Sequence, residues 1–262
     1  RGRRHLFLAP WRDYTLVGVW HKVHRDDPDA VTLTTPELQD FLDEINEGYP
    51  ALQLTLKDVL RWEAGLILFG ENVPGGVHLS YGKRSILVDH AREHSLEGLV
   101  SLVGVRYTTA RGMAQQAMDL MMRKLGRARG CRTETTPVAG GGIADIERYV
   151  AQAVAERPAG PSAKAADALV HNHGTEHRAV LRLVQETPTL AQPLNGSPVI
   201  RAEVLQAVRE EMAQKLSDVV FRRTDLGTGE HPGDEALRAC AEMMGAELGW
   251  DAVTMGSVAK KA

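Results

Sequence analysis

The apolar residues of this chain change period near residue 108, and that change limits the folds open to it more than any other feature. Before it, Leu6-Phe7-Leu8 and Tyr14-Thr15-Leu16-Val17-Gly18-Val19-Trp20 are β-rich runs split by Pro10-Trp11-Arg12-Asp13, which predicts a hairpin. Further strands are expected over residues 59–69, 77–80, 85–89 and 99–103. One helix interrupts them: Thr35 is placed as its N-cap, Pro36 in its first turn, Leu38, Phe41, Leu42 and Ile45 on one apolar face, and Gly48 at its stop. After it, Ala110, Met113, Ala114, Ala117, Met118, Met121 and Leu125 recur at helical spacing, with Thr108 or Thr109 as the cap and Gly126 past the end. Ten of the thirteen aromatic residues lie at or before Tyr107, so composition changes where the period does.

Pro137 and the run Gly140-Gly141-Gly142 read as a linker or hinge. Beyond it helices are predicted over 143–156, 163–172, 178–186, 202–213, 217–222 and 234–248, with Val204, Leu205, Val208 and Met212 on one buried stripe. The expected class is α+β: a sheet-containing region over residues 1–137, then an all-helical domain over 138–262.

The balance of 31 Lys and Arg against 34 Asp and Glu argues against nucleic acid as a partner. Cys131 and Cys240 are far apart and outside any Cys-x-x-Cys spacing, which argues against a disulfide scaffold and points to a reducing, cytoplasmic compartment. No apolar run reaches the ~20 residues of a membrane span, so contact with a membrane is peripheral at most. The chain opens at Arg1 directly into a strand pattern, which reads as a piece cut from a longer protein. Neither Gly-x-Gly-x-x-Gly nor a Walker phosphate loop occurs, and Gly140-Gly141-Gly142 lacks the spacing of a phosphate cradle.

The most informative local feature is Gly104-Val105-Arg106-Tyr107-Thr108-Thr109-Ala110-Arg111, where a strand ends in glycine and a cation and runs into a helix. Unpaired N–H groups at a helix start favour a phosphate, a carboxylate or the anionic edge of a reduced flavin. An ordinary capped helix is the plainer alternative. His171, His173 and His177 have a spacing that neutral imidazoles use for zinc, but Gly174 breaks the helix between them, and no metal site is expected. Around His90 and His94, with Asp89 and Glu93, a solvated polar loop is expected. Arg222-Arg223 closes a predicted helix, where cations complement the dipole, while Lys83-Arg84 and Arg3-Arg4 suit solvated strand edges.

Three stretches together resemble the C-terminal half of the FAD-dependent glycerol-3-phosphate dehydrogenases. Phe7-Leu8-Ala9-Pro10-Trp11 through Leu16-Val17-Gly18 is similar to that family's Pro-Trp hairpin. Gly104 through Arg111 resembles its Gly-Gly/Val-Lys-x-Thr-Thr-x-Arg junction, with Arg106 in place of the lysine. Glu211-Met212-Ala213 and Asp218-Val219-Val220-Phe221-Arg222-Arg223-Thr224 resemble signatures of its helical C-terminal domain. Order and separation agree across nearly the whole chain.

The resemblance implies FAD as cofactor and hydride transfer from a secondary alcohol, sn-glycerol 3-phosphate or a related polyol. Gly104, Val105, Thr108 and Thr109 would lie against the flavin, Arg106 would be the catalytic cation, and Lys83, Arg84 and Arg106 would bind substrate. Where the family carries Gly-Val/Leu-Arg-Pro for the substrate phosphate, this chain has Gly65-Leu66-Ile67-Leu68, and an aliphatic side chain cannot pair a phosphate. The resemblance leaves the electron acceptor open, a quinone among the choices, and the oligomeric state as well. The other reading is a non-catalytic helical interaction module attached to a degenerate flavoprotein remnant.

Overall fold

A computed structural model describes residues 6–67, 85–104, 106–127, 129–251 and 253–255, which fall in two units, Arg1–Thr136 and Pro137–Ala262. The architecture is α+β: small antiparallel ribbons and helices make up the first unit, and packed helices the second.

In the first unit, β1 (Phe7–Trp11) pairs antiparallel with β2 (Tyr14–Gly18), Leu8 opposite Val17 and Trp11 opposite Tyr14. The hairpin is tighter than expected, because Arg12 takes a left-handed φ of 54° and lets the chain reverse in two residues. Pro10 therefore sits inside β1, which an edge strand tolerates. Helix α1 (Thr35–Gly48) starts one residue earlier than predicted. Thr34 is its N-cap because Glu37 can then reach back: the Thr34 N–H donates to Glu37 Oε2 at 2.9 Å and the Glu37 N–H to Thr34 Oγ1 at 3.4 Å. Glu37 also pairs with Lys22. Leu42 and Ile45 are buried, and Phe41 stacks on Trp20 with ring centroids 6.0 Å apart. Residues 59–67 form no strand, and 77–80 lie outside the described residues.

The second ribbon matches the sequence pattern: β3 (Ile86–Asp89) pairs antiparallel with β4 (Val100–Val103), Ile86 opposite Val103. What joins them is α2 (His90–His94), a short helix where a polar loop is expected; Asp89 caps it, its carboxylate accepting the Ala91 N–H at 3.2 Å. Helix α3 (Tyr107–Lys124) follows β4 and packs back on it. Among the described apolar side chains of this unit, only Leu42 and Ile45 are buried. Phe7 is 61% exposed, and Leu8, Leu16, Ile86 and Leu102 are about half exposed.

The second unit contains α4 (Ile146–Glu156), α5 (Ala163–His173), α6 (His177–Glu186), α7 (Arg201–Arg209), α8 (Leu216–Asp218) and α9 (Asp234–Leu248). One core gathers Leu169, Val180, Val184 and Ile200 between α5, α6 and the start of α7; another gathers Val204, Val219, Leu237, Cys240 and Met244 between α7, α8 and α9. Gly140, predicted as hinge, is instead packed: a Cβ on it would lie 2.7 Å from the His173 carbonyl oxygen. Gly174, with φ of 56°, crosses Gly140 so closely that neither admits a side chain, and the Thr175 N–H donates to the Gly140 carbonyl at 3.1 Å. After α8 the chain makes one π-helical turn, Val219–Arg223. Thr224 closes it by donating its hydroxyl to the Val219 carbonyl at 2.8 Å, while Asp218 accepts the Gln214 and Lys215 N–H groups and pairs with Arg222 at 3.0 Å. Asp218, Arg222 and Thr224 thus have a structural purpose, to hold a turn of unusual pitch.

Helix α7 ends at Arg209, short of the predicted Ala213, because Met212 adopts a φ of 56° and leaves the helix. Met212 is consequently 80% exposed, whereas Val204 is fully buried. Val204→Asp should lower the unfolding free energy by several kcal/mol, the cost of an unpaired buried charge. Met212→Asp should change it by less than about 0.5 kcal/mol, since the side chain is solvated. Urea unfolding of the two variants checks both.

Candidate functional site

The junction between β4 and α3 is built from the backbone outward. Gly104 ends the strand beside Ser85, whose Oγ would lie 3.1 Å from any Cβ placed there. Val105, with Lys83 and Arg84, lies outside the described residues. Arg106 is the N-cap of α3, with φ −118° and ψ 114°, and makes no capping hydrogen bond. That corrects the sequence assignment of Thr108 or Thr109 as cap. Both threonines stand inside the first turn, where the Thr109 hydroxyl donates to the Arg106 carbonyl at 3.4 Å.

The shift changes the electrostatics. A threonine cap supplies an oxygen that accepts one of the free N–H groups; a guanidinium carries donors only. No acidic residue stands in the first turn. The helix start therefore combines first-turn amides, of which that of Thr109 is donated to the Arg106 carbonyl at 3.4 Å, with the positive end of the dipole and a cationic side chain, a setting that favours anions. Arg106, Tyr107, Thr108 and Thr109 are all exposed, Tyr107 at 99%. Arg111, the last residue of the motif, is turned elsewhere: its Nη1 donates to Gln115 at 3.0 Å and to Thr133 at 3.3 Å.

The far end of α3 is anchored. Lys124 bonds to Asp89 at 2.8 Å, and this contact holds the Asp89 carboxyl below its ordinary range. His90 Nε2 lies 2.8 Å from Ser101 Oγ and His90 Nδ1 lies 3.1 Å from His94 Nδ1, which stitches α2 to β4. Ile67, at the position where the resemblance implies a phosphate-binding arginine, is 49% exposed.

The three histidines of the helical unit do not converge. His171 Nδ1 meets the Asp167 carbonyl at 3.0 Å, His177 Nδ1 meets the Gly174 carbonyl at 2.8 Å, and His173 turns inward. There His173 Nε2 lies 3.2 Å from Glu203 and His173 Nδ1 3.7 Å from Glu211, which also faces Arg223 at 3.7 Å. Glu203, almost wholly buried, accepts the Ile200 N–H with its other oxygen at 2.9 Å. Sequence reasoning missed this cluster. Its one signal is an acid set between the apolar residues Ala202 and Val204 near a helix start. Burial draws the His173 pKa down, but the two carboxylates outweigh it and raise it to about 9, so the ring is charged at neutral pH.

Comparison with known proteins gives a consistent picture. Residues 131–255 match the family described as the C-terminal domain of alpha-glycerophosphate oxidase. A probable mitochondrial glycerol-3-phosphate dehydrogenase of Dictyostelium discoideum is 29% identical, covering 94% of this chain and 39% of that protein. A glycerol-3-phosphate dehydrogenase of Synechocystis is 28% identical, covering 95% of this chain and 45% of that protein. The X-ray structure of a glycerol-3-phosphate dehydrogenase from Bacillus halodurans, complexed with FAD, shares the fold with a TM-score of 0.73 at 20% identity, covering 98% of this chain and 49% of that one. The chain thus spans less than half the length of these relatives.

The His173 cluster lies inside the 131–255 match, and its titration predicts a pH dependence of folding stability. Its folded pKa of about 9 stands above the ordinary 6.5, so the stabilisation is complete below pH 6.5 and disappears as pH rises through about 9. Wild-type stability in urea should fall by about 3 kcal/mol across that window, as a shift of this size implies. His173→Gln, which cannot titrate, should flatten the profile; an unchanged alkaline slope in the variant would assign it to other groups.

Proposed function

We propose that this chain, similar over nearly its whole length to glycerol-3-phosphate dehydrogenases and over residues 131–255 to the C-terminal domain of alpha-glycerophosphate oxidase, is the substrate-side and helical part of an FAD-dependent oxidoreductase that oxidises a secondary alcohol. The observation that carries the reading is the start of α3, a helix whose N-cap is a cation without an acceptor and whose first turn holds no acid.

That arrangement fits a flavin. Bound FAD supplies a hydride acceptor whose pyrimidine edge becomes anionic on reduction. The backbone amide of Thr108 would stabilise that edge through the helix dipole, whereas that of Thr109, the other amide the resemblance implies, is donated to the Arg106 carbonyl at 3.4 Å. Arg106 holds a substrate oxygen so that the carbinol carbon is oriented for transfer. Lys83 and Arg84 are the further candidates for substrate contact. With Ile67 in place of a guanidinium, the substrate class is sn-glycerol 3-phosphate or a related polyol whose anionic group, where present, is met elsewhere. The half-exposed apolar strands of the first unit suit a surface that a flavin-binding region covers, which would also exclude water from Arg106. No described helix is long and apolar enough to cross a membrane.

In the flavoprotein that carries this chain, Arg106→Ala should lower kcat/KM by roughly 10²-fold with flavin content unchanged, because one preorganised charged donor is lost. Arg106→Lys should recover part of the loss. Steady-state kinetics with a dye acceptor, on glycerol 3-phosphate and unphosphorylated polyols, makes the measurement. A change below about 1 kcal/mol in both variants would reduce Arg106 to a solvated helix cap.

A further inference from the structure

Helix α3 is 18 residues long, yet among its described residues none is buried. Met113, Ala117 and Leu120 are half-buried at most, and a face packed so loosely tolerates a tilt that a close-packed one does not. Chain continuity fixes one end, where Val103 and Gly104 lead from β4 into the first turn. A rod held at one point needs a second to fix its axis. Arg111 does not supply it, since its bond to Thr133 reaches the chain that follows α3 and not the ribbon.

The second point is Lys124, the last residue of the helix. Its Nζ lies 2.8 Å from Asp89 and 3.5 Å from Glu97, and among the described residues these are the side-chain bonds that run from α3 to the β3–β4 hairpin. Asp89 stands opposite Val100, at the other end of the ribbon from the Ile86–Val103 pair beside which α3 begins. The helix is thus held at both ends against one ribbon. The Lys124 side chain is 22% exposed and that of Asp89 11%, so water competes little for the bond. Asp89 is itself fixed, because it accepts the Ala91 N–H at 3.2 Å. At 1.5 Å per residue, an 18-residue helix puts Lys124 about 25 Å from the first turn, well beyond a Debye length of roughly 8 Å. Its charge is screened at that range, and what reaches the first turn is direction.

We propose that Asp89 and Lys124 are positioning residues for the α3 junction: their ion pair sets the angle at which the Thr108 amide and Arg106 face flavin and substrate. The inference rests on the flavin reading and adds to it two residues remote from the contact. Groups in a working site are held within about 0.5 Å and 10–20° of their productive geometry. A misplacement of about 1 Å, caused far from the chemistry, can cost about 10²-fold in rate. A helix released at its far end swings about its start, so that the dipole axis and the Arg106 side chain turn together. Reduced flavin is stabilised by a dipole aimed at it, and the pair therefore acts on the flavin potential through direction alone.

The flavin midpoint potential and steady-state kinetics of the flavoprotein that carries this chain test it. Lys124→Met should lower the potential and reduce kcat roughly three- to tenfold, with KM moving less than kcat and flavin content unchanged. Asp89→Asn should do the same from the other side of the pair, since asparagine still caps α2. Lys124→Arg, which can remake the bond, should restore both quantities. Arg123→Gln removes the same charge from the neighbouring residue and should leave the potential as it is. Arg106→Ala separates the two levels of the argument. If it lowers the potential while Lys124→Met and Asp89→Asn do not, the positioning proposal is overturned and the flavin reading stands. If Arg106→Ala leaves the potential unchanged, the flavin reading fails and takes the proposal with it. An equal drop in Arg123→Gln, or no recovery in Lys124→Arg, would trace the effect to net charge or to packing and would also overturn the proposal.

Discussion

A two-stranded ribbon has two faces and no third layer, so it cannot bury its own apolar side chains. Both ribbons of the first unit are of this kind, and their consequences run through the molecule. Phe7, Leu8 and Leu16 on one hairpin and Ile86 and Leu102 on the other stay in contact with water. What order the unit has comes from local polar devices: the Thr34–Glu37 box on α1, the paired bonds between Asn46 and the Leu54 backbone at 2.8 Å, and Lys124 bridging from α3 to Asp89. These fix angles between neighbouring segments, whereas burial of a sheet face needs a larger covering layer.

The helical unit meets the opposite constraint, too many elements for the available depth, and resolves it with small residues and one buried charge cluster. Gly140 and Gly174 cross at backbone distance, which brings the end of α5 against the segment entering α4. That approach places His173 inward, where it would be an unsatisfied base if Glu203 and Glu211 were absent. Arg223 completes the set from the far side of the π turn, donating to the Glu211 carbonyl at 3.1 Å. A cluster of this type contributes little net stability compared with an apolar replacement, yet losing one member is expensive. Its value here is positional, since it joins α5, α7 and the turn after α8 in one arrangement.

These differences explain what was legible in the sequence. Helices with strong periodicity and polar punctuation were read almost to the residue, as at α5, α6 and α9, because the apolar face and the stop are both local signals. The errors arose where a contact from elsewhere decided the outcome. Thr34 displaced Thr35 because a glutamate three residues on could reach it; α7 stopped early because Met212 turned left-handed; Gly140 was taken for a hinge because its partner, Gly174, is far away in sequence. The candidate site was legible as a motif, a strand, a glycine and a cation before a helix. Its electrostatics were not, because which residue caps α3 depends on one turn of backbone geometry that Thr108 and Arg106 satisfy equally well on paper.

The α3 junction and the His173 cluster both hold positive charge, but they differ in how much of the surrounding medium they control. Arg106 is solvated, and a unit charge at 4 Å in bulk water is worth only about 1 kcal/mol, falling further with salt. An exposed helix start becomes a strong anion site when something dry is laid over it, so its potency depends on a surface outside the junction. His173 in the helical unit is the opposite case: the buried Glu203 carboxylate lies 3.2 Å from its ring and holds that charge out of water. The charge on His173 should therefore be insensitive to what else is attached to the chain, and chemistry at the junction sensitive to it. Within one polypeptide, the same kind of charge is thus placed in two dielectric settings, one completed only by assembly and the other complete in the helical unit.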